Sequence, residues 1–299
     1  MLEDDFVHIR NRSSESFIRI VYLAPPLIFL TAMSQPLTAI PGTEIALADF
    51  DTSYTDGPHD KKSAKRQLKE NALALADLGY RLYAENKRCL LLVLQGMDAA
   101  GKDGVIRHVM RGLNPQSCQV HSFKRPSEEE LDHDFLWRIH KAVPRRGNIG
   151  IFNRSQYEDV LVVRVHNLVP KQVWQRRYQL INEFEQLLTD GDMVIVKCFL
   201  HISNDKQRER LQARLDDPNK RWKFRHGDLD ERELWDDYQR AYEAALNRCN
   251  TEHAPWHIIP SDRKWYRNLT VSNLLLKTMQ EMDPQYPAEE EGLEGVTVV

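Results

Sequence analysis

Residues 89–102, with sequence CLLLVLQGMDAAGK, decide the fold of this 299-residue chain. Cys89–Gln95 is a nearly continuous apolar run, which is typical of a parallel strand buried on both faces. Residues 96–102 fit G-x-x-x-x-G-K, and a helix is predicted at 103–113. Backbone N–H groups of such a loop, the helix N-terminus and Lys102 can surround a phosphate. A plain glycine-containing turn with a surface lysine is the alternative, and the strand–loop–helix context favours the phosphate-binding loop.

The loop departs from the usual nucleotide-binding pattern at one position. Asp103 stands where such loops carry a Ser or Thr hydroxyl for Mg²⁺. Asp98, inside the loop, is the predicted replacement ligand, because hard carboxylate oxygens suit Mg²⁺. The residues predicted to contact phosphate are Gly96, Ala100, Gly101, Lys102, Asp103, Gly104 and, from a later segment, Arg154.

Strands and helices alternate along the chain, which predicts an α/β fold with a parallel sheet covered by helices on both faces. Besides the first strand, apolar runs predict strands at 119–123, 149–152, 193–200 and 256–259. Helical periodicity predicts helices at 60–85, 170–189, 205–215, 229–250 and 264–281. Ser127 and Glu130 form a capping box that opens a further helix, predicted to run to about Val143.

A second polar cluster follows the strand at 149–152. Arg154 can bind a phosphate bidentately, and Glu158 and Asp159 can hold Mg²⁺ or position an acceptor. The alternative for the two acids is that they only favour the dipole of a following helix.

A third cluster is basic and is predicted to form a helical lid over about 203–228. Arg210 and Arg214 are four residues apart and share one helix face, and residues 217–219 (DPN) break the helix. A lid of this kind can bring cations to a moving phosphoryl group and exclude water. A solvated charged helix is the alternative.

The charge balance argues against two broad classes of protein. With 41 basic and 44 acidic residues the net charge is −3, which disfavours a general nucleic-acid or membrane-surface binder. Residues 101–180 nevertheless carry 14 basic against 8 acidic residues, which indicates a local anionic ligand. The four cysteines have no CxxC spacing and are predicted to be reduced thiols.

Domain boundaries follow from the ends of the chain. Residues 1–35 are predicted to be an N-terminal extension, disordered or translated from a start assigned too early, and they include an apolar segment at 17–33 interrupted by two prolines. Residues 36–285 are predicted to form a single domain. Residues 286–299 are predicted to be an acidic, solvated tail.

Five ordered motifs resemble the polyphosphate kinase 2 family over about residues 60–283. They are QGMDAAGKDG (95–104), FNRSQYEDVLVVRVH (152–166), DDPNKRWKF (216–224), WDDYQRAYE (235–243) and APWHIIPSDRKW (254–265). The resemblance implies a P-loop-kinase three-layer sandwich that moves a phosphoryl group between inorganic polyphosphate and AMP, ADP or ATP. It also implies Mg²⁺ (or Mn²⁺), a homodimer or homotetramer and a cytoplasmic location.

The resemblance also implies residue roles. Lys102 and the loop grip polyphosphate, Asp98 and Asp159 hold metal, and Arg210 and Arg214 close over the transfer. The implied catalytic set is Asp98, Lys102, Arg154, Glu158, Asp159, Arg210 and Arg214. The implied nucleotide-binding set is Lys124, Arg125, Tyr157, Glu158, Asp159 and Arg164.

Two details bear on the subtype. Many relatives carry Asp at the position of Asn153, so a metal-ligand role there is not expected. The Tyr-Glu-Asp form at 157–159 is similar to branches that accept AMP, or AMP and ADP in turn.

Two other functions stay open at this stage. An ATP-dependent nucleoside or nucleotide kinase of thymidylate-kinase type would share the loop and the lid, although Asp103 counts against it. A non-catalytic phosphate-binding protein is the other alternative.

Overall fold

The computed structural model describes residues 38–56, 60–293 and 296–298. The extension predicted over 1–35, with its apolar segment, lies outside these residues. The described part belongs to one compact unit, Ser34–Val299. No helix in these ranges is both long and apolar enough to cross a membrane.

The centre of the unit is a five-stranded parallel sheet. Its strands are β1 (Cys89–Gln95), β2 (Cys118–Ser122), β3 (Ile149–Asn153), β4 (Met193–His201) and β5 (Trp256–Pro260), in the spatial order β2-β3-β1-β4-β5. β1 is buried along its whole length because it lies in the middle and is covered on both faces. The predicted parallel α/β sheet is confirmed.

Ten helices surround the sheet in the described residues. They are α1 (Lys61–Glu85), α2 (Lys102–Val109), α3 (Glu128–Leu131), α4 (Trp137–Ala142), α5 (Val162–Val165), α6 (Lys171–Asp190), α7 (Asn204–Asp216), α8 (Gly227–Glu233), α9 (Trp235–Arg248) and α10 (Lys264–Met282). Helices α1, α2 and α10 pack together in one layer, and α5, α6 and α9 pack together in another. The carboxyl ends of all five strands meet at one edge of the sheet, where ligands bind in folds of this type.

Two predicted helices are each split into two. The capping box of Ser127 and Glu130 is confirmed, but the helix it opens ends at Leu131. Asp134 then accepts a hydrogen bond from the Leu136 amide (2.9 Å) in the turn before α4, which begins without a side-chain cap of its own. The helix predicted at 229–250 is interrupted at Leu234, which packs against the core.

Other differences are small. The sequence did not predict the 3₁₀ turn Gln156–Asp159 or the short α5. Cys89, Cys198 and Cys249 are buried, and all four cysteines are free. Tyr286, at the start of the predicted tail, packs its ring against Tyr80 and Arg81 of α1.

Candidate active site

The loop between β1 and α2 has the backbone of a phosphate-binding loop. Gly96 (φ 149°), Ala99 (φ 63°) and Gly101 (φ 110°) all have positive φ. A Cβ atom on Gly96 would lie 2.7 Å from the Leu200 carbonyl oxygen, so only glycine fits this turn. The chain reverses sharply here and leads directly into the N-terminus of α2.

Lys102, the first residue of α2, folds back over the loop. Its side chain is 9% exposed, and its Nζ donates to the Gly96 carbonyl oxygen (2.6 Å). Burial, reinforced by the charge of Arg154, lowers the pKa of Lys102 to about 8. A buried lysine held by carbonyls gains most from an anion that enters the loop.

The lowered pKa of Lys102 predicts an alkaline limb in the reaction. Above about pH 8 the ligand-free protein loses this positive charge, whereas the phosphates of the substrates that the resemblance implies are already ionised. We expect kcat/KM for polyphosphate to fall about tenfold per pH unit above this point. In Lys102→Arg the limb should move beyond pH 10, because the guanidinium stays charged. A wild-type profile that is flat to pH 9.5 would contradict this assignment.

Parallel pairing of β1 and β3 brings the second predicted cluster to the loop. The Arg154 amide donates to the Leu94 carbonyl (3.0 Å), and Arg154 Nη2 donates to Asp98 Oδ1 (2.7 Å). Arg154 has φ 66°, a strained conformation for a side-chain-bearing residue and one that is common at functional sites.

The charges of this pair favour both ionised forms. Burial opposes ionisation of Asp98, but Lys102 and Arg154 hold the pKa of its carboxyl below its usual value. Burial also opposes the charged form of Arg154, which lowers its pKa. The negative charges of Glu158 and Asp98 outweigh burial, so the pKa of Arg154 is raised.

Asp103, which stands where similar loops carry Ser or Thr, has a hydrogen-bond partner in the structure. Asp103 Oδ1 accepts a hydrogen bond from Asn153 Nδ2 (2.9 Å). The Asn153 amide and the Asp103 carboxylate are thus hydrogen-bonded to each other at the start of α2. This contact links the two positions at which the sequence departs from common patterns.

The two acids after β3 differ in their surroundings. Glu158 lines the cleft, and burial raises the pKa of its carboxyl, although Arg154 and Lys102 oppose the rise. Asp159 is 8% exposed and is paired with Arg177 (3.0 Å) and more distantly with Arg138 (3.7 Å). The carboxylate of Asp159 is therefore already neutralised by two arginines, which leaves it a poor metal ligand in this conformation.

Tyr157 cannot contact a nucleotide in this structure, contrary to the prediction. Its side chain is fully buried, and its hydroxyl donates to Glu185 Oε1 (2.8 Å) and accepts from Lys197 Nζ (2.9 Å). The neighbouring Gln156 also donates to Glu185 Oε1 (2.9 Å). Tyr157 thus anchors the 3₁₀ turn from inside, while Glu158 and Asp159 line the cleft.

The other predicted nucleotide-binding residues separate into two groups. Lys124 and Arg125 follow β2, are exposed and line the cleft. Arg164 does not line it: its guanidinium lies over the ring of Trp174 (4.9 Å) and donates to the Tyr178 hydroxyl (3.3 Å). The prediction for Arg164 is therefore not supported, because α5 turns that side chain towards α6.

The predicted lid at about 203–228 covers α7, a loop with a 3₁₀ turn at Arg221–Lys223, and only the first residues of α8. Arg214 lines the cleft and faces Asp228 across this hairpin (3.8 Å). Arg210 is 9% exposed and donates to the carbonyls of Ala99 and Ala100 (2.9 and 3.0 Å). Arg210 thus supports the loop in this conformation, and its direct role in the transfer stays a prediction.

Ala100 does not offer its amide to a ligand. The amide donates to the Met97 carbonyl (3.1 Å), and the residue is fully buried. Gly96, Gly101, Lys102, Asp103 and Gly104, in contrast, line the cleft.

The cleft above the loop is large and basic. Its volume is about 2400 Å³, and its charged lining residues comprise 18 Lys or Arg and 8 Asp or Glu. Lining residues that the sequence did not single out are Lys61, Lys65, Lys69, Arg107, Arg111, Arg138, Lys264 and Arg267. The four-residue spacing of the α1 lysines is a signal that could have identified them, since such residues share a helix face.

A metal ion would have few ready-made ligands here. Among the described residues, no group of three or more His, Cys, Asp or Glu side chains forms a metal-binding cluster. Asp98 does fit Mg²⁺: it lies in the loop, and only its Oδ1 is in the ion pair with Arg154. Mg²⁺ is often bound by one or two carboxylates together with substrate phosphates and water, which matches this arrangement.

The fold and the loop define the class of the protein: an α/β protein with a phosphate-binding loop at the carboxyl end of its central strand. A comparison with protein-family models matches residues 58–287 to polyphosphate kinase 2. The chain belongs to the polyphosphate kinase 2 family, and the predicted resemblance is confirmed.

Individual relatives agree with this assignment. The AMP/ADP-polyphosphate phosphotransferase of Meiothermus ruber is 54% identical over 248 residues, which cover 83% of this chain and 92% of the relative. The ADP-polyphosphate phosphotransferase of Rhodopseudomonas palustris is 46% identical, with 82% and 89% covered. The crystal structure of polyphosphate kinase 2 from Arthrobacter aurescens TC1 superposes with a TM-score of 0.83 at 44% identity, covering 86% of this chain and 92% of that one.

Proposed function

We propose that this chain transfers a phosphoryl group reversibly between inorganic polyphosphate and an adenine nucleotide, giving ADP from AMP and ATP from ADP. The observation that carries the proposal is the basic cleft of about 2400 Å³ that continues from the phosphate-binding loop. A chain of condensed phosphates needs more cations than one nucleotide does. The similarity to the AMP/ADP-polyphosphate phosphotransferase of Meiothermus ruber supports both acceptors.

The transfer needs charge neutralisation more than proton transfer. A terminal oxygen of the acceptor phosphate, already ionised at neutral pH, attacks the terminal phosphorus of polyphosphate. A new P–O bond forms, the P–O bond to the next phosphate breaks, and the shortened polyphosphate leaves as an anion. Lys102 and Arg154 lie at the loop, where they can stabilise the charge of a loose transition state.

Asp98 is the proposed ligand of Mg²⁺. Mn²⁺ is expected to support the reaction in place of Mg²⁺. The metal, when bound, neutralises phosphate charge and aligns the two substrates. Arg154 holds Asp98 in place through the 2.7 Å ion pair. Asp98 is ionised at neutral pH, because Lys102 and Arg154 keep the pKa of its carboxyl low despite its burial.

The hairpin of α7 and α8 is the proposed lid. Arg214, Lys220, Lys223 and Arg225 line the cleft from this side, opposite the loop. A small closing motion would add their charges to the reacting phosphates and exclude water.

One experiment separates this function from its rivals. Purified protein is incubated with polyphosphate, Mg²⁺ and either AMP or ADP in the absence of ATP, and the products are separated. We expect ADP from AMP and ATP from ADP. Product formation only with ATP as donor would favour the thymidylate-kinase-type alternative, and no product under either condition would favour a phosphate-binding protein.

The family resemblance also supports a homo-oligomeric assembly and a cytoplasmic location. We propose that the protein forms a homodimer or a homotetramer, and that it is located in the cytoplasm. Light scattering coupled to size-exclusion chromatography tests the proposed assembly. A monomeric mass would contradict the proposed assembly without affecting the proposed reaction.

A further inference from the structure

Two buried arginines lie against the phosphate-binding loop from the side of α7 and α10. Arg210 of α7 and Arg267 of α10 both donate from Nη1 to the Ala100 carbonyl oxygen, at 3.0 and 2.9 Å. Arg267 is only 2% exposed. Arg210 also donates to the carbonyls of Ser261 and Asp262. Two positive charges thus converge on one peptide group of the loop.

Arg267 has no acidic partner. Its Nε and Nη2 donate to the amide oxygen of Asn268 (3.1 and 2.8 Å), and within residues 38–56, 60–293 and 296–298 no carboxylate lies within ion-pair distance of it. Two other buried cations do have one: Lys197 is paired with Glu185 (2.6 Å), and Arg138 lies near Asp159 (3.7 Å). Lys102 and Arg210, which also lie at the loop, are bound by carbonyl oxygens instead. A buried charge without a counter-charge is costly, so it requires an explanation.

The guanidinium of Arg267 lies directly against the start of α2. A Cβ atom on Gly101 would be 1.9 Å from Arg267 Nη1, and one on Gly104 would be 2.7 Å from Nη2. The two glycines therefore make room for this cation. Its charge reaches the loop across backbone, a low-dielectric path that weakens electrostatic interactions less than water does.

Burial and the neighbouring Arg210 lower the pKa of Arg267 to about 9. Both causes disfavour the positive charge in the ligand-free protein. A negative charge placed in the loop would reverse this effect. The loop is where the proposed function places polyphosphate.

We propose that Arg267 is a positioning residue for polyphosphate: its uncompensated charge attracts the phosphates held by the loop and is balanced by them. This inference rests on the proposed function, because polyphosphate supplies the counter-charge. Arg267 is 2% exposed at the edge of the cleft, so it acts on the phosphates by its charge and by holding the loop backbone. Its loss should therefore weaken polyphosphate binding specifically and leave nucleotide binding intact.

Direct binding measurements test the proposal. Calorimetric titration with tripolyphosphate, without nucleotide or metal, is compared for wild type, Arg267→Met, Arg267→Gln and Arg267→Lys. We expect the two neutral variants to bind tripolyphosphate about tenfold or more weakly, and the lysine variant to stay within about threefold of wild type. AMP affinity should change less than twofold in all of them.

Arg88 provides a matched control. It also donates to a backbone carbonyl, that of Met282 (2.5 Å), but it is paired with Glu85 and does not line the cleft. Arg88→Met should leave tripolyphosphate binding unchanged. This control separates the general loss of an arginine brace from the loss of charge at the loop.

The outcomes are distinguishable. If Arg267→Lys loses as much affinity as the neutral variants, or AMP binding falls equally, Arg267 is only a structural brace and the inference fails. If neutral variants bind tripolyphosphate like wild type, the inference fails while the proposed function stands. If wild type itself does not bind tripolyphosphate, the proposed function fails as well. Arg267→Gln keeps a polar group at this position, which provides a second neutral variant should Arg267→Met not fold.

Discussion

Lys102→Ala is expected to lower kcat/KM for polyphosphate by about 10²–10³-fold, since one well-placed charge at a developing anion contributes about 3–4 kcal/mol. In the structure Lys102 Nζ lies 2.6 Å from the Gly96 carbonyl, at the mouth of the loop. Alanine removes the only cation that belongs to the loop sequence itself. Initial rates of ATP formation from ADP at varied polyphosphate concentrations measure the loss.

The fold should survive the Lys102→Ala substitution. The buried ammonium is bound by carbonyl oxygens alone, and its burial is unfavourable, so its removal should leave the melting temperature unchanged or raised. Lys102→Arg serves as the charge-retaining control and should recover part of the activity. A near-wild-type rate for Lys102→Ala would remove Lys102 from the site.

Lys197→Met is expected to destabilise the protein by about 3–5 kcal/mol, because it leaves the carboxylate of Glu185 buried without a counter-charge. Lys197 Nζ donates to Glu185 Oε2 (2.6 Å), the Tyr157 hydroxyl (2.9 Å) and the Cys249 carbonyl (2.7 Å). Both charged side chains are fully buried. Urea unfolding followed by circular dichroism gives the free energy of unfolding.

The double variant Lys197→Met with Glu185→Leu is the control for this effect. It removes both charges, so it should recover a large part of the lost stability, since replacing a buried ion pair by apolar side chains is often close to neutral. A loss below about 1 kcal/mol in Lys197→Met alone would show that the pair does not stabilise the fold. Glu185 also binds the side chains of Gln156 and Tyr157. The double variant, which lacks Glu185, should therefore shift Glu158 from its position in the cleft.

The local sequence was enough to predict the centre of the site. The apolar run of β1, the glycines after it and Lys102 form one continuous segment, so no long-range packing had to be known. Arg154 could also be placed near the phosphate site, because parallel strands bring their carboxyl ends to the same edge, and the structure adds its ion pair with Asp98.

Side-chain direction after β3 could not be predicted in the same way. The residues at 156–159 form a 3₁₀ turn, which sends Tyr157 into the core and Asp159 towards Arg177 and Arg138. A cluster of polar residues in sequence does not show which of them face the ligand. The turn geometry and the distant partners Glu185 and Lys197 decide it.

Arg267 shows the same limit more strongly. Nothing in its sequence neighbourhood distinguishes it from the surface cations around it. Its burial depends on how α10 packs against α2, which are far apart in the chain. Gly101 and Gly104 were predicted to contact phosphate, and the structure shows that they also make room for an arginine.

The central claim is that the loop at 96–102 holds polyphosphate and leaves the nucleotide to the facing part of the cleft. A crystal structure with tripolyphosphate and AMP bound tests it most directly. We predict phosphate density inside the loop, with Lys102 Nζ moved from the Gly96 carbonyl to a phosphate oxygen and the adenosine outside the loop. Nucleotide phosphates in the loop, with tripolyphosphate elsewhere, would contradict the account.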